Sequence, residues 1–287
     1  MERFPRIRQI ESRGIGLNYL DWGNEGAPVL LFLHGLHDHG RTFDKLVQPF
    51  LDSYHVVTPD LRGHGDSGWV LGSSYNQLDY LYDLYQLVAK ASLAPLSLVG
   101  HSLGGAVVTL FAGLYPSLVD KLIVIEGMGL WEPDDLATTA TQRFKAWVEQ
   151  VEDLQSWEPK KYQNIEAAYE RMHLANPNLG EATARHLTAH GIRENQDGSY
   201  SWKHDKYTRS FPDFSIRHEE LVEIWSQVGC EILLINASDG LPHRIGQNGT
   251  LHHFEKIRLE MVEGAGHWTF HDQPATVQQL IRGFLSN

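Results

Sequence analysis

The sequence predicts an α/β protein built on a mostly parallel, doubly wound sheet, and three observations predict it. Short apolar runs alternate with segments whose apolar residues recur at helical spacing, the pattern of strand–helix–strand units. One junction, Leu98-Val99-Gly100-His101-Ser102-Leu103-Gly104-Gly105, reads as strand, sharp turn and helix with a serine at the apex. The alternation stops between about residues 130 and 220 and then resumes, which points to a helical insertion, or cap, between two strands of one sheet. The expected organisation is therefore a first core part over residues 1–129, a helical cap over 130–220 and a second core part over 221–287.

Taken in order, Ile7 to Ser12 and Gly16 to Asp21 flank the Arg13-Gly14 turn as an antiparallel pair. Val29 to Leu33 is continuously apolar, as a strand buried on both faces must be. It ends in His34-Gly35-Leu36-His37-Asp38-His39-Gly40, and a helix is expected from about Thr42 to Leu51. Tyr54 to Thr58 is a second buried strand, followed by the loop Pro59 to Ser67. Leu78, Leu81, Tyr82, Tyr85 and Val88 fall at helical spacing. After the serine turn, Leu103, Val107, Leu110, Phe111 and Leu114 mark one helix face, and Lys121 to Ile125 the next strand. In the insertion, Phe144 to Leu154, Ile165 to Leu174 and Glu181 to His190 read as helices, broken at Asn176-Pro177-Asn178 and at Gln196-Asp197-Gly198-Ser199. Leu221 to Val228 as helix, Ile232 to Ile235 and Ile257 to Val262 as strands, and Ala275 to Leu285 as helix complete the chain.

Composition narrows the function. The net charge of −12 argues against a nucleic-acid partner and against an anionic membrane surface. The one cysteine, Cys230, excludes an internal disulfide and reads as a small buried hydrophobe. The first residues lack the apolar core of a signal peptide, and no apolar run approaches the roughly 18 residues that cross a bilayer. A cytoplasmic protein, monomer or homodimer, is expected.

A serine hydroxyl is a poor nucleophile until a base takes its proton and an acid orients that base. Ser102 needs such partners. His267, in Gly264-Ala265-Gly266-His267-Trp268 directly after the last strand, is the base by position. Two carboxylates qualify as the acid: Glu126, ending the strand after the elbow helix, and Asp239, in the loop after the penultimate strand. Glu126 is preferred, because Asp239 falls one residue short of the usual place for an acid in that loop, and Asp239 stays open as the alternative. Negative charge developing on the substrate oxygen needs backbone donors. The amides of Leu103, after the nucleophile, and Leu36, after His34-Gly35, are the candidates.

The elbow, the His34-Gly35 loop, the Asp60-Leu61-Arg62-Gly63-His64-Gly65-Asp66-Ser67 stretch and Gly266-His267 together resemble the α/β-hydrolase superfamily. The resemblance covers the chain except the cap. It implies an eight-stranded, mostly parallel sheet with one antiparallel strand near the start, and a triad of Ser102, His267 and Glu126 or Asp239. Within the superfamily the chain is similar to serine-hydrolase-like proteins and, in the place of Glu126, to haloalkane dehalogenases. Dehalogenases and epoxide hydrolases use an aspartate nucleophile, so Ser102 argues against both activities. An acyl-serine hydrolase of short to medium acyl or aryl carboxylic esters is expected, with no cofactor; diketone or thioester cleavage on the same triad and a non-catalytic small-molecule receptor are the alternatives.

His34, His37, Asp38 and His39 cluster as metal ligands do, but their spacing differs from the dense H-x-H-x-D-H pattern and no downstream ligand set is evident. No metal is expected. The expected pocket is lined by His34, His37, Met128, Leu130, Trp131 and Trp268, beneath a cap rich in large aromatics that includes Phe144, Trp147, Trp157, Tyr162 and Trp202.

Overall fold

The computed structural model describes residues 3–71, 75–128, 139–210, 216–241 and 250–286. Ten strands and nine α-helices are described. They are β1 (Arg6–Ser12), β2 (Ile15–Asp21), β3 (Val29–Leu33), α1 (Asp44–Val47), β4 (His55–Pro59), α2 (Gln77–Lys90), β5 (Leu96–His101), α3 (Leu103–Leu114) and β6 (Val119–Ile125). Then follow α4 (Ala140–Ser156), α5 (Ile165–Ala175), α6 (Glu181–Gly191), β7 (Ile192–Glu194), β8 (Tyr200–Trp202), α7 (His218–Ser226), β9 (Glu231–Ala237), β10 (Ile257–Val262), α8 (Thr269–Asp272) and α9 (Pro274–Leu285).

Eight strands form one sheet in the order β1-β2-β4-β3-β5-β6-β9-β10. Only β2 runs against its neighbours, pairing antiparallel with both β1 and β4. The central strands β3, β5 and β6 are covered on both faces along most of their length, which is why each carries a run of consecutive apolar residues rather than an alternation. One face packs on α2, α3 and α7 around Leu98, Val107, Phe111 and Trp225. The other packs on the helices after β3 and β10 around Phe32, Phe43, Phe270 and Ile281. No described helix is long and apolar enough to cross a membrane.

The first-loop helix expected over 42–51 is broken into a 3-10 turn (Gly40–Phe43), α1 and a second 3-10 turn (Gln48–Phe50). Pro49 lies in that second turn, where its missing N–H removes an α-helical hydrogen bond. Residues 139–210 carry α4, α5 and α6, and also the β7–β8 hairpin, whose turn the sequence marks only as a break at Gln196-Asp197-Gly198-Ser199. Phe144 and Val148 on α4 are exposed.

The loop from Asp60 to Ser67 is fixed from two sides. The buried Asp60 carboxylate accepts from the Gly40 and Asp66 amides at 2.6 and 2.9 Å and from Asn18 at 2.8 Å. Arg62 makes a paired contact with Asp83 at 2.6 and 2.7 Å, and Ser12 donates to the same carboxylate at 2.6 Å. Loop backbone that is buried must find such partners or lose free energy for each unmet group.

Candidate active site

The site lies at the carboxyl ends of β3, β5, β6 and β10, where open α/β sheets place their ligands. Ser102 ends β5 with φ 52° and ψ −123°, a conformation that costs a non-glycine residue on the order of 1–3 kcal/mol. The turn is possible because its neighbours are small. A Cβ on Gly104 would collide with the Leu33 carbonyl oxygen, so the elbow helix approaches β3 at backbone distance. Ser102 is buried, with its side chain turned toward the loops after β3 and β10.

The Ser102 hydroxyl lies 2.9 Å from His267 Nε2. His267 Nδ1 lies 3.3 Å from Glu126 Oε2. With the carboxylate ionised, Nδ1–H donates to Glu126 and Nε2 is left as the acceptor for the serine proton. Glu126 is fully buried, and its carboxylate also accepts from two backbone donors, Ala237 N–H at 2.6 Å and Leu241 N–H at 3.1 Å. These donors offset the desolvation of a buried carboxylate. Glu126 sits at φ 52°, in the same left-handed region as Ser102. The structure therefore brings Glu126, not Asp239, to the imidazole. Asp239 is exposed; its amide donates to the Ala265 carbonyl at 3.0 Å, and among the described residues its carboxylate makes no hydrogen bond to His267.

Leu103 is the first residue of α3, so its N–H has no carbonyl one turn behind it. Leu36 is not in regular structure, and its N–H has no hydrogen-bond partner among the described residues. Both Leu36 and Ser102 line a cavity of about 330 Å³ with Gly35, His267, Trp268 and Asn176. Gly35 is pressed against the elbow: an added Cβ would stand 2.9 Å from Ser102 Cβ and 3.1 Å from His101 Nδ1. Gly35→Ala is therefore expected to push the Leu36 amide away from Ser102 and to lower kcat by about 10-fold or more with a smaller change in KM, measured by steady-state hydrolysis. Equal kcat for the two proteins would show that the loop is not so placed.

Two pocket assignments are corrected. His34 is fully buried, with Nδ1 donating to the Gly35 carbonyl at 2.7 Å and Nε2 accepting from the Leu61 amide at 2.9 Å. Burial and the neighbouring imidazoles hold it well below its ordinary pKa, so it is a neutral bracket between two loops and faces neither cavity. Met128 is 1% exposed and packs in the core beside the elbow helix, so it lines neither cavity. His37 and Trp268 do line the site. Leu130 and Trp131 fall outside the described residues.

Three features were not anticipated. His101 donates from Nε2 to the His267 carbonyl at 2.8 Å, bracing the loop that carries the imidazole; burial holds it well below its ordinary pKa, so it stays neutral. The Asn176-Pro177-Asn178 break folds back to line the Ser102 cavity. A second cavity, about 530 Å³, adjoins the first and shares Leu36, Ala175, Asn176 and Trp268 with it. Trp157, Tyr162 and Trp202 from the expected aromatic set lie there, with His37 and His204. Burial above all, then the other imidazoles and Arg209, pushes His37 down to about 2 and His204 to about 3.

No histidine of the His34–His39 loop belongs to a three-ligand group among the described residues. The group that does converge is Asp44, His186 and His190, with ligand atoms within 4.8 Å of one another. Arg41 already sits there as a cation, 2.6 Å from Asp44.

The family model of the α/β-hydrolase fold matches residues 28–274. A serine hydrolase-like protein of Danio rerio is 30% identical over 278 residues, covering 92% of this chain and 83% of the relative. An esterase of Mycobacterium tuberculosis is 24% identical over 288 residues, covering 98% and 89%. Among solved structures, a hypothetical protein of Pseudomonas aeruginosa superposes with a TM-score of 0.85 at 23% identity over 98% of this chain and 99% of that one. An E-2-(acetamidomethylene)succinate hydrolase does so with a TM-score of 0.79 at 22% identity, covering 99% and 100%.

Proposed function

The chain belongs to the α/β-hydrolase fold family, and from that premise we propose that it is a serine hydrolase of short to medium acyl or aryl carboxylic esters, acting through an acyl-serine intermediate. The observation that carries the reading is the hydrogen-bonded series Ser102–His267–Glu126 at 2.9 and 3.3 Å, opening on a cavity beside the unspent Leu36 amide.

His267 Nε2 takes the Ser102 proton as Oγ attacks the acyl carbon. The carbonyl oxygen becomes an oxyanion between the Leu36 and Leu103 amides, where each donor contributes about 3 kcal/mol to the transition state. Glu126 holds Nδ1–H toward itself and stabilises the imidazolium. The imidazolium then protonates the leaving alcohol, and the Ser102 ester remains. Water gives a proton to the same imidazole as its oxygen attacks the acyl carbon; the bond from that carbon to Ser102 Oγ then breaks, the imidazolium returns the proton to Oγ, and the carboxylic acid departs. In this reading residues 139–210 act as a cap over the strand ends, and from them Asn176 walls both cavities and Met172 the larger one.

A panel of aryl esters of rising acyl length, set beside matched thioesters and a diketone, tests the reading. Turnover is expected to be fastest with esters from acetyl to hexanoyl. Cleavage of the diketone or thioester with inert esters would overturn the assignment to carboxylic esters.

A further inference from the structure

The 530 Å³ cavity has a charge that the rest of the chain does not prepare for. The sequence carries 36 Asp and Glu against 24 Lys and Arg. Yet Lys160, Arg171 and Arg209 line this cavity, and no described carboxylate does. None of the three makes an ion pair among the described residues, although many of the other described cations do: Lys161 with Asp197, Arg185 with Glu166, Lys203 with Asp66. Two are set over aromatic faces. The Arg209 guanidinium lies 5.2 Å from the Trp157 ring centre and the Lys160 ammonium 5.4 Å from that of Tyr162. Such contacts hold a long side chain in place without neutralising it. Arg209 is also close enough to lower the pKa of both His37 and His204, so its field reaches the cavity floor.

We propose that the substrate carries a negative charge at the end remote from the scissile bond, and that Lys160, Arg171 and Arg209 recognise it while the aromatic wall takes the apolar span between. The inference deepens the proposed function and rests on its placement of the reacting carbonyl at Ser102. The two cavities share Leu36, Ala175, Asn176 and Trp268 in their linings, so a molecule whose carbonyl is at Ser102 has the cation-lined space as its neighbour. A cleft lined by one sign of charge raises the local concentration of the opposite sign and speeds its capture. The charge is a carboxylate on the acyl chain or a phosphate on the leaving group; both present the planar or tripodal oxygens that arginine binds.

Ser102→Ala protein, in which bound ester persists, is titrated calorimetrically with three aryl esters: neutral butyryl, carboxylate-ending glutaryl, and a butyryl ester whose leaving group bears a phosphate. One charged ester is expected to bind about tenfold more tightly than the neutral one at low ionic strength, in keeping with three exposed charge contacts. The advantage should shrink in 0.5 M salt. It should be lost in the Arg171→Gln, Arg209→Gln protein, whose thermal unfolding within a few degrees of the parent shows that the fold survives. Whichever charged ester gains identifies the source of the charge. Equal binding of all three, no binding of any, or an advantage retained in the double variant would overturn the inference. Turnover of the butyryl ester by the unsubstituted protein is measured in parallel. Its absence would sink the hydrolase reading while leaving the charge preference legible.

Discussion

Ser102→Ala is expected to lower kcat/KM for an aryl ester by about 10⁵- to 10⁶-fold, close to the loss from removing the whole set of reacting side chains. The size follows from the geometry. Ser102 Oγ is the one nucleophile within hydrogen-bond distance of His267 Nε2 among the described residues, and no other described serine shares its left-handed turn at a strand end. The fold should survive. The hydroxyl makes no bond to the core, and the elbow is kept by Gly104 against Leu33 and by the Ser102 amide, which donates to the Ile125 carbonyl at 3.0 Å. Alanine also tolerates φ near 50° no worse than serine does. Thermal unfolding within a few degrees of the parent, with activity at background, is the expected pair of results. Residual activity within about 100-fold of the parent would mean that another group attacks.

The second large effect separates the two carboxylates. Glu126→Gln is expected to cost about 10³- to 10⁴-fold in kcat, and Asp239→Asn less than about threefold. A glutamine at 126 can still accept from the Ala237 or Leu241 amide with its one oxygen, but its NH₂ then faces His267 Nδ1. The imidazole answers by moving its proton to Nε2, and Nε2 can no longer receive the serine proton. Asp239 is exposed and not hydrogen-bonded to the imidazole, so its charge is screened by solvent and salt. A reversed pair of results would move the acid to Asp239. The two variants also differ in stability: removing charge from fully buried Glu126 leaves two backbone donors sharing one acceptor, whereas the Asp239 change lies at the surface.

The sequence makes Ser102 and His267 legible for a physical reason. Backbone approach at Gly100, Gly104 and Gly105 demands residues without side chains, so the elbow writes itself as a run of glycines around one serine. His267 follows the last strand in a loop whose glycines are equally conspicuous. The acid was harder to place from sequence because its position depends on sheet order. Glu126 reaches β9 backbone only because β6 lies between β5 and β9, an adjacency that no stretch of sequence states. A histidine in a loop after a strand reads the same whether it faces ligand or backbone, and the Leu61 amide that claims His34 Nε2 is 27 residues away. Met128, two residues past Glu126, carries the same ambiguity. The β7–β8 hairpin had a signal, Asp197-Gly198 between short segments carrying Ile192 and Tyr200, but three-residue strands are too short to show alternation. The cations of the second cavity come from α5, from the loop before it and from the stretch after the hairpin, so only the fold gathers them.

The central claim is that Ser102 is made nucleophilic by His267, held in place by the buried Glu126. A fluorophosphonate tests it most directly, because such a reagent phosphonylates a serine whose proton an adjacent base removes. Intact-protein mass spectrometry should show one adduct per chain, peptide mapping should place it on Ser102, and Ser102→Ala protein should take up none. An unlabelled chain, or an adduct carried on another residue, would contradict the account.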